Sequence, residues 1–182
     1  YMKEKILDFK DVYISNENNE DSNLLERILS IGLLCNDSKL QDGELINEKD
    51  DLIEIAIAKA AIQKGMKLER FKMEYPRILQ IPFQKERRLM TTINKIDNNY
   101  RANIKGSTDA LINRCTHILK GDIETELKEE DIINIKNADI SMSNQGLNVI
   151  ALAYRNFNYE PSLKENIESN LVFVGLIGIY NP

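Results

Sequence analysis

Phe83, Lys85, Arg87, Arg88, Met90, Lys105 and Gly106 fall within one stretch, residues 75–115 (YPRILQIPFQKERRLMTTINKIDNNYRANIKGSTDALINRC), and this set of side chains suits a nucleotide. An aromatic ring gives a base a face to stack on, a contact worth roughly 1 to 3 kcal/mol. Lys105 or Arg88 can neutralise phosphate, and Gly106, lacking Cβ, allows backbone to approach a ligand closely. The same residues fit a plainer reading. Phe83 is then a core aromatic, Lys85, Glu86, Arg87 and Arg88 a solvated turn, and Lys105-Gly106 the end of a strand.

The elements around these residues read as strand, hairpin, strand and helix start. Residues 78–81 and 89–96 are rich in apolar and β-branched side chains and flank a charged break at 84–88, which predicts a hairpin. Asp97, Asn98 and Asn99 supply a second turn, and residues 100–105 resume the extended pattern. Ser107 is a natural N-cap for a helix whose apolar face is Leu111, Ile112, Cys115 and Ile118, ending at Gly121. Upstream, a strand is expected over 6–14 and a loop over 15–21. A helix capped by Asp21 or Ser22 follows, with Leu24, Leu25, Ile28, Ile31, Leu34 and Cys35 on one face and Asn36-Asp37 as its stop. A polar loop runs to Asn47. Asp50 and Asp51 open a second helix with Ile53, Ile57, Ala60 and Ala61 inward and Gly65 beyond its end. Downstream the pattern predicts a helix over 129–144 and strands over 147–154 and 171–180. The fold class is α+β, a mainly antiparallel sheet with helices on both sides, since a short hairpin joins only antiparallel neighbours.

Composition narrows the function classes. At 182 residues, 42% hydrophobic and 29% charged, the chain suits one globular domain spanning 1–182. A net charge of −5 argues against nucleic acid or an anionic membrane surface as partner. The longest apolar run, 171–180, is about half the roughly 20 residues a membrane helix needs, and the first residues lack the apolar core of a signal peptide. Two cysteines, Cys35 and Cys115, and the single His117 exclude a zinc site of the usual spacings, and no metal ligands are assigned. Both cysteines read as buried reduced thiols. His117, placed on the 107–121 helix, reads as solvent-facing or capping.

The order of the motifs adds a resemblance. FQKERRLM at 83–90, Lys105-Gly106 and Arg114-Cys115 resemble the nucleotide-binding domain of P-type cation-transporting ATPases. Leu34-Cys35-Asn36-Asp37 looks like that family's Cys-Asn-Asp helix end. Residues 51–57 (DLIEIAI) look like its Gly-Asp-Pro-Thr-Glu-x-Ala-Leu helix start. Residues 145–153 (QGLNVIALA) look like its Gly-Leu-Arg-Val-Leu-Ala-x-Ala strand, and residues 171–182 its Leu-x-Phe-x-Gly-Leu-x-Gly-Ile-x-Asp-Pro exit, with Asn181 for the aspartate.

The resemblance implies an ATP-binding domain, excised from a larger membrane transporter, that presents ATP to a phosphorylatable aspartate in a separate domain. It implies that Phe83 stacks on adenine, Glu54 meets the adenine edge and Lys105 lies deep in the pocket. Arg88 supplies a cation the family usually provides as lysine, and Met90 and Gly106 line the site. Asn148 stands where the family places a phosphate-binding arginine, and Asp50-Asp51-Leu52-Ile53 replaces Gly-Asp-Pro-Thr. ATP is the expected ligand, with Mg²⁺ belonging to the parent enzyme rather than to ligands here. The expected partner is the phosphorylation domain of the same parent chain, with no membrane contact by this segment, a monomeric state and a cytoplasmic location in an integral membrane protein. No Asp-Lys-Thr-Gly-Thr segment occurs, so no catalytic residue is assigned and the transport activity belongs to the parent. Calcium is the cation suggested by a general likeness to the calcium pumps. A degenerate, non-binding regulatory or interaction domain and an unrelated soluble α+β enzyme are the other readings.

Overall fold

The computed structural model describes residues 3–5, 12–16 and 22–180. Among these the chain begins with β1 (Lys3–Lys5), β2 (Val12–Asn16) and α1 (Ser22–Leu34), then a small hairpin, β3 (Lys39–Gln41) and β4 (Glu44–Ile46). Helices α2 (Leu52–Gln63) and α3 (Leu68–Glu74) lead into the meander β5 (Arg77–Gln84), β6 (Leu89–Ile96) and β7 (Asn99–Gly106). After α4 (Thr108–Ile112) come β8 (Cys115–Lys120), β9 (Ile123–Glu126), α5 (Glu129–Asn144), β10 (Leu147–Phe157) and β11 (Leu171–Tyr180). The main sheet runs β1-β2-β11-β10-β7-β6-β5, with β8 and β9 attached beside β11. Every pairing is antiparallel except that of β8 with β11. The α+β expectation holds. No helix among the described residues is long and apolar enough to cross a membrane.

Helices cover both faces, and strand alternation sorts the side chains between two cores. Leu152 and Tyr154 of β10 join Ile28 and Ile31 of α1 and Ile57 of α2. Ala151 and Ala153, pointing the other way, join Leu111 and Ile112 of α4 and Ile135 and Met142 of α5. A strand covered on both faces has no solvent side, which explains the unbroken apolar run of β11, buried from Leu171 through Ile179. Its alternation changes phase once. Val172 and Val174 face α1, as do Ile177 and Ile179, and the odd step between them is absorbed by a bulge opposite Leu152 and Ala153.

Most expected elements form, with these differences. The helix expected over 107–121 is only α4, and Cys115, His117 and Ile118 lie on strand β8. Their spacing fits either period, and pairing with Leu171, Val172 and Phe173 decides for the strand. Gly121 then sits between β8 and β9 rather than at a helix end. The polar loop before Asn47 contains the β3–β4 hairpin, whose Asp42-Gly43 turn (φ +51° and +81°) is the left-handed pair that such hairpins favour. Helix α3 and strand β9 had no counterpart in the pattern reading. β10 runs three residues beyond Tyr154 to Phe157. Of the strand expected over 6–14, Val12, Tyr13 and Ile14 lie in β2 and the remainder falls outside the described residues, as do Asp21, Asn181 and Pro182.

α1 and α2 pack closely at Gly32, where an added Cβ would stand 2.7 Å from Cγ2 of Ile57. Gly32→Ala gains about 1 kcal/mol of helix propensity but overpacks a branched, buried neighbour at a cost of about 1 to 3 kcal/mol. The expected net effect is a lower urea midpoint with an unchanged m-value. A raised midpoint would show that the two helices separate freely.

Candidate functional site

The candidate residues converge at one end of the meander. Leu89 pairs with Gln84 on one side and Gly106 on the other, and Met90 pairs with Lys105, so β5, β6 and β7 bring Phe83, Met90 and Lys105 to neighbouring strands at the same end. Phe83 is 57% exposed, which removes the core-aromatic reading. Arg88 is exposed, adopts a left-handed φ of +57°, and its amide donates to the Gln84 carbonyl at 2.7 Å, closing the turn. Gly106 is required for a reason different from ligand access: a Cβ there would collide with the carbonyl oxygen of Arg88 and the side chain of Leu89.

Arg87 pins this turn. Its Nε donates to both carboxylate oxygens of Glu168, at 3.1 and 2.8 Å, and its terminal nitrogens donate to the carbonyls of Pro82 and Leu89 and to the Gln84 side chain. Glu168 is 5% exposed and also accepts from Thr91 Oγ1 at 2.8 Å, with Arg114 at 3.7 Å. The solvated-turn reading therefore applies to Lys85, Glu86 and Arg88 and fails for Arg87.

Lys105 is held from the other face of the sheet. Its ammonium lies 2.5 Å from Glu54 Oε1, both residues being less than a tenth exposed. Glu54 Oε2 accepts the Asp37 amide at 2.8 Å and Asn47 Nδ2 at 2.7 Å, so the carboxylate is engaged three times. α2 delivers Glu54 in its first turn because Asp51, the N-cap, accepts the amides of Ile53 and Glu54. Asn36, just past α1, donates to the Glu54 carbonyl at 2.8 Å. Met90 is buried beside Lys105, and its carbonyl accepts from Cys35 Sγ at 3.3 Å. Burial pushes the Cys35 thiol up to about 11, so it stays protonated as a packing group. Cys115 is partly rather than fully buried, and burial likewise pushes it up, to about 12. His117 is solvent-facing, but on a strand.

Asn148 is exposed on β10. Leu152 is the register partner of Lys105, so Asn148, four residues earlier, projects on the same sheet face about 13 Å further along, past the end of β7. The candidate site is thus an open surface: an exposed ring and arginine at the end of the meander where the buried, paired lysine also lies, with an exposed neutral amide further along β10. Of the residues that hold it in place, Arg87 stood out in the sequence only as one of the clustered cations, and Asn47 and Glu168 were not singled out. Asn36-Asp37, within the Leu-Cys-Asn-Asp segment, also carried a signal.

Residues 24–182 match the family described as P-type ATPase, cytoplasmic domain N. The chain belongs to this family. Among similar proteins, the calcium-transporting ATPase 1 of Bacillus cereus is 33% identical over 174 residues, covering 94% of this chain and 19% of that protein. The calcium-transporting ATPase 1 of Lactococcus lactis is 30% identical over 161 residues, covering 85% of this chain and 18% of that protein. The calcium-transporting ATPase of Bacillus subtilis is 31% identical over 162 residues, covering 87% and 18%. The chain therefore spans about a fifth of the length of these curated relatives.

For this N domain the buried pair makes a direct prediction. Glu54→Gln leaves the Lys105 ammonium without its counter-ion and should destabilise the N domain by about 3 kcal/mol or more. In the Glu54→Gln/Lys105→Met double variant no uncompensated charge remains, so part of that loss should return. Urea denaturation of these two variants and of the Lys105→Met single variant completes the cycle, and additive losses would show that the two charges are not coupled.

Proposed function

We propose that this N domain binds ATP and presents its γ-phosphate to an aspartate in a separate domain of an ATP-driven cation pump. The observation that carries the reading is an exposed Phe83 ring at the same end of the meander as an ammonium buried and held in place by Glu54. A large aromatic side chain held in water at the tip of a rigid turn offers a face for adenine, and Met90 and the Lys105 stem floor the space next to it. Arg88, whose side chain has no partner among the described residues, is the cation available to phosphate. Glu54 enters this reading chiefly as the anion that orients Lys105, and an adenine-edge contact would share its carboxylate with the partners it already has. In the parent, attack of the aspartate on the γ-phosphate would form an aspartyl-phosphate, with Mg²⁺ supplied at that stage. The names of the relatives make calcium the proposed cargo and a membrane transporter the proposed parent.

One observation favours a weaker-binding, regulatory variant of the same domain: the neutral Asn148 at the position where the family places arginine. Two measurements separate the readings. Phe83→Ala should weaken ATP and adenosine equally, by roughly 1 to 3 kcal/mol in calorimetry, because stacking acts on the base. Full retention of ATP affinity would exclude Phe83 from the site.

Asn148→Arg should tighten ATP by about fivefold, or roughly 1 kcal/mol, leave adenosine nearly unchanged and lose its advantage as salt rises. An unchanged ATP affinity in the folded variant would mean that this part of β10 does not face the nucleotide.

A further inference from the structure

At the opposite end of the same sheet face two arginines pack against one tyrosine ring, and neither forms an ion pair among the described residues. They line a cleft of about 350 Å³ between α1, the end of α3, the β6–β7 turn and the β8–β9 turn. The guanidinium carbons of Arg27, on α1, and Arg101, on β7, lie 5.1 and 5.3 Å from the centroid of the Tyr154 ring. That ring is fixed: Tyr154 is 2% exposed and its hydroxyl donates to Glu124 Oε1 at 2.5 Å. Arg101 uses Nε on Asn156 Oδ1 at 3.0 Å, and its terminal nitrogens have no partner among the described residues. Arg27 has no hydrogen-bond or ion-pair partner among them at all. Glu26 and Asp122 also line the cleft, but both are exposed and neither forms an ion pair with either guanidinium. Burial, and then the charge of Arg27, hold the Arg101 guanidinium below its ordinary value.

Two like charges partly withdrawn from water repel each other, and the aromatic face and the single Glu124 carboxylate behind it, which forms no ion pair with either guanidinium, compensate them only in part. An anion between them would remove the repulsion and supply the acceptors their N–H groups lack. We propose that this cleft is an oxyanion site, in which one phosphate or carboxylate group of a ligand bridges Arg27 and Arg101. Guanidinium forks match the geometry of those two groups. The carboxylates of Glu26 and Asp122 narrow the class to a ligand carrying a single oxyanion, since a polyphosphate chain would meet them. The site is separate from the Phe83 end and stands independently of the nucleotide reading.

The test is a titration of the whole ¹⁵N-labelled chain with inorganic phosphate and, in a parallel arm, with N-acetyl aspartate amide, following the arginine Nε–H signals. The Arg27 and Arg101 signals should shift together with one saturable affinity. Arg27→Gln and Arg101→Gln should each weaken that affinity about tenfold, whereas Phe83→Ala should leave it unchanged. A stronger response to phosphate supports a free phosphorylated ligand, and a stronger response to the carboxylate supports an acidic side chain presented by a polypeptide. Shifts no larger than those caused by chloride at equal ionic strength would overturn the proposal in the unaltered protein, where folding is not in question. Saturable binding that survives both substitutions would overturn it equally.

Discussion

The buried ion pair between Lys105 and Glu54 is the interaction on which the arrangement of this domain most depends. Removing two charges from water costs several kcal/mol for each, and their attraction repays this only when the remaining hydrogen-bonding positions are also filled. Here they are filled by groups from separate parts of the chain. The Asp37 amide comes from the exit of α1, Asn47 from the exit of the β3–β4 hairpin, and Lys105 from the end of β7. Satisfying one carboxylate thus fixes how a helix exit, a hairpin and a strand meet.

The end of α1 is secured by the same economy of buried polar groups. Lys72 Nζ donates to the carbonyls of Asn36 and Ser38 at 2.8 and 2.7 Å, and Arg77 donates to those of Leu34 and Asn36 at 3.3 and 3.0 Å. Cations at a helix C-terminus satisfy its last carbonyls and its dipole together. Burial raises the Asp37 carboxyl, but the hydrogen bond and charge of Arg77 outweigh it and hold Asp37 below the usual carboxylate range. Burial, and then the nearby Arg77 charge, lower the Lys72 ammonium.

On the opposite face, Glu168 takes Arg87 and Thr91 and holds the β5–β6 turn. One end of the sheet is therefore gripped from both sides, Lys105 from the α1 face and the Phe83 turn from the α5 face. An exposed ring can be placed with precision only on such a support, because its own environment supplies little packing. The apolar β11 makes this possible by burying both faces along its length, so that each core anchors one of the two grips.

Sequence alone determined what depends on neighbours a few residues apart: the helical stripes of α1 and α2, the span of α5, the Asp51 and Ser107 caps, the β5–β6–β7 meander, and a cluster of nucleotide-type side chains at its end. It also carried the order of motifs from which the family could be recognised. Only the tertiary structure decided what depends on distant partners. Glu54 and Lys105 are 51 residues apart and Arg87 and Glu168 are 81 apart, so no local pattern announces either pair. Residues 115–120 carry a spacing compatible with helix or strand, and the open edge of β11 settled it by offering backbone partners. Gly106 read as room for a ligand and proved to be room for the Arg88 carbonyl. The physical reason is common to all of these: propensity and periodicity are local energies, whereas the pairing of a buried charge or a strand edge is settled by whichever remote group the folded chain brings within reach.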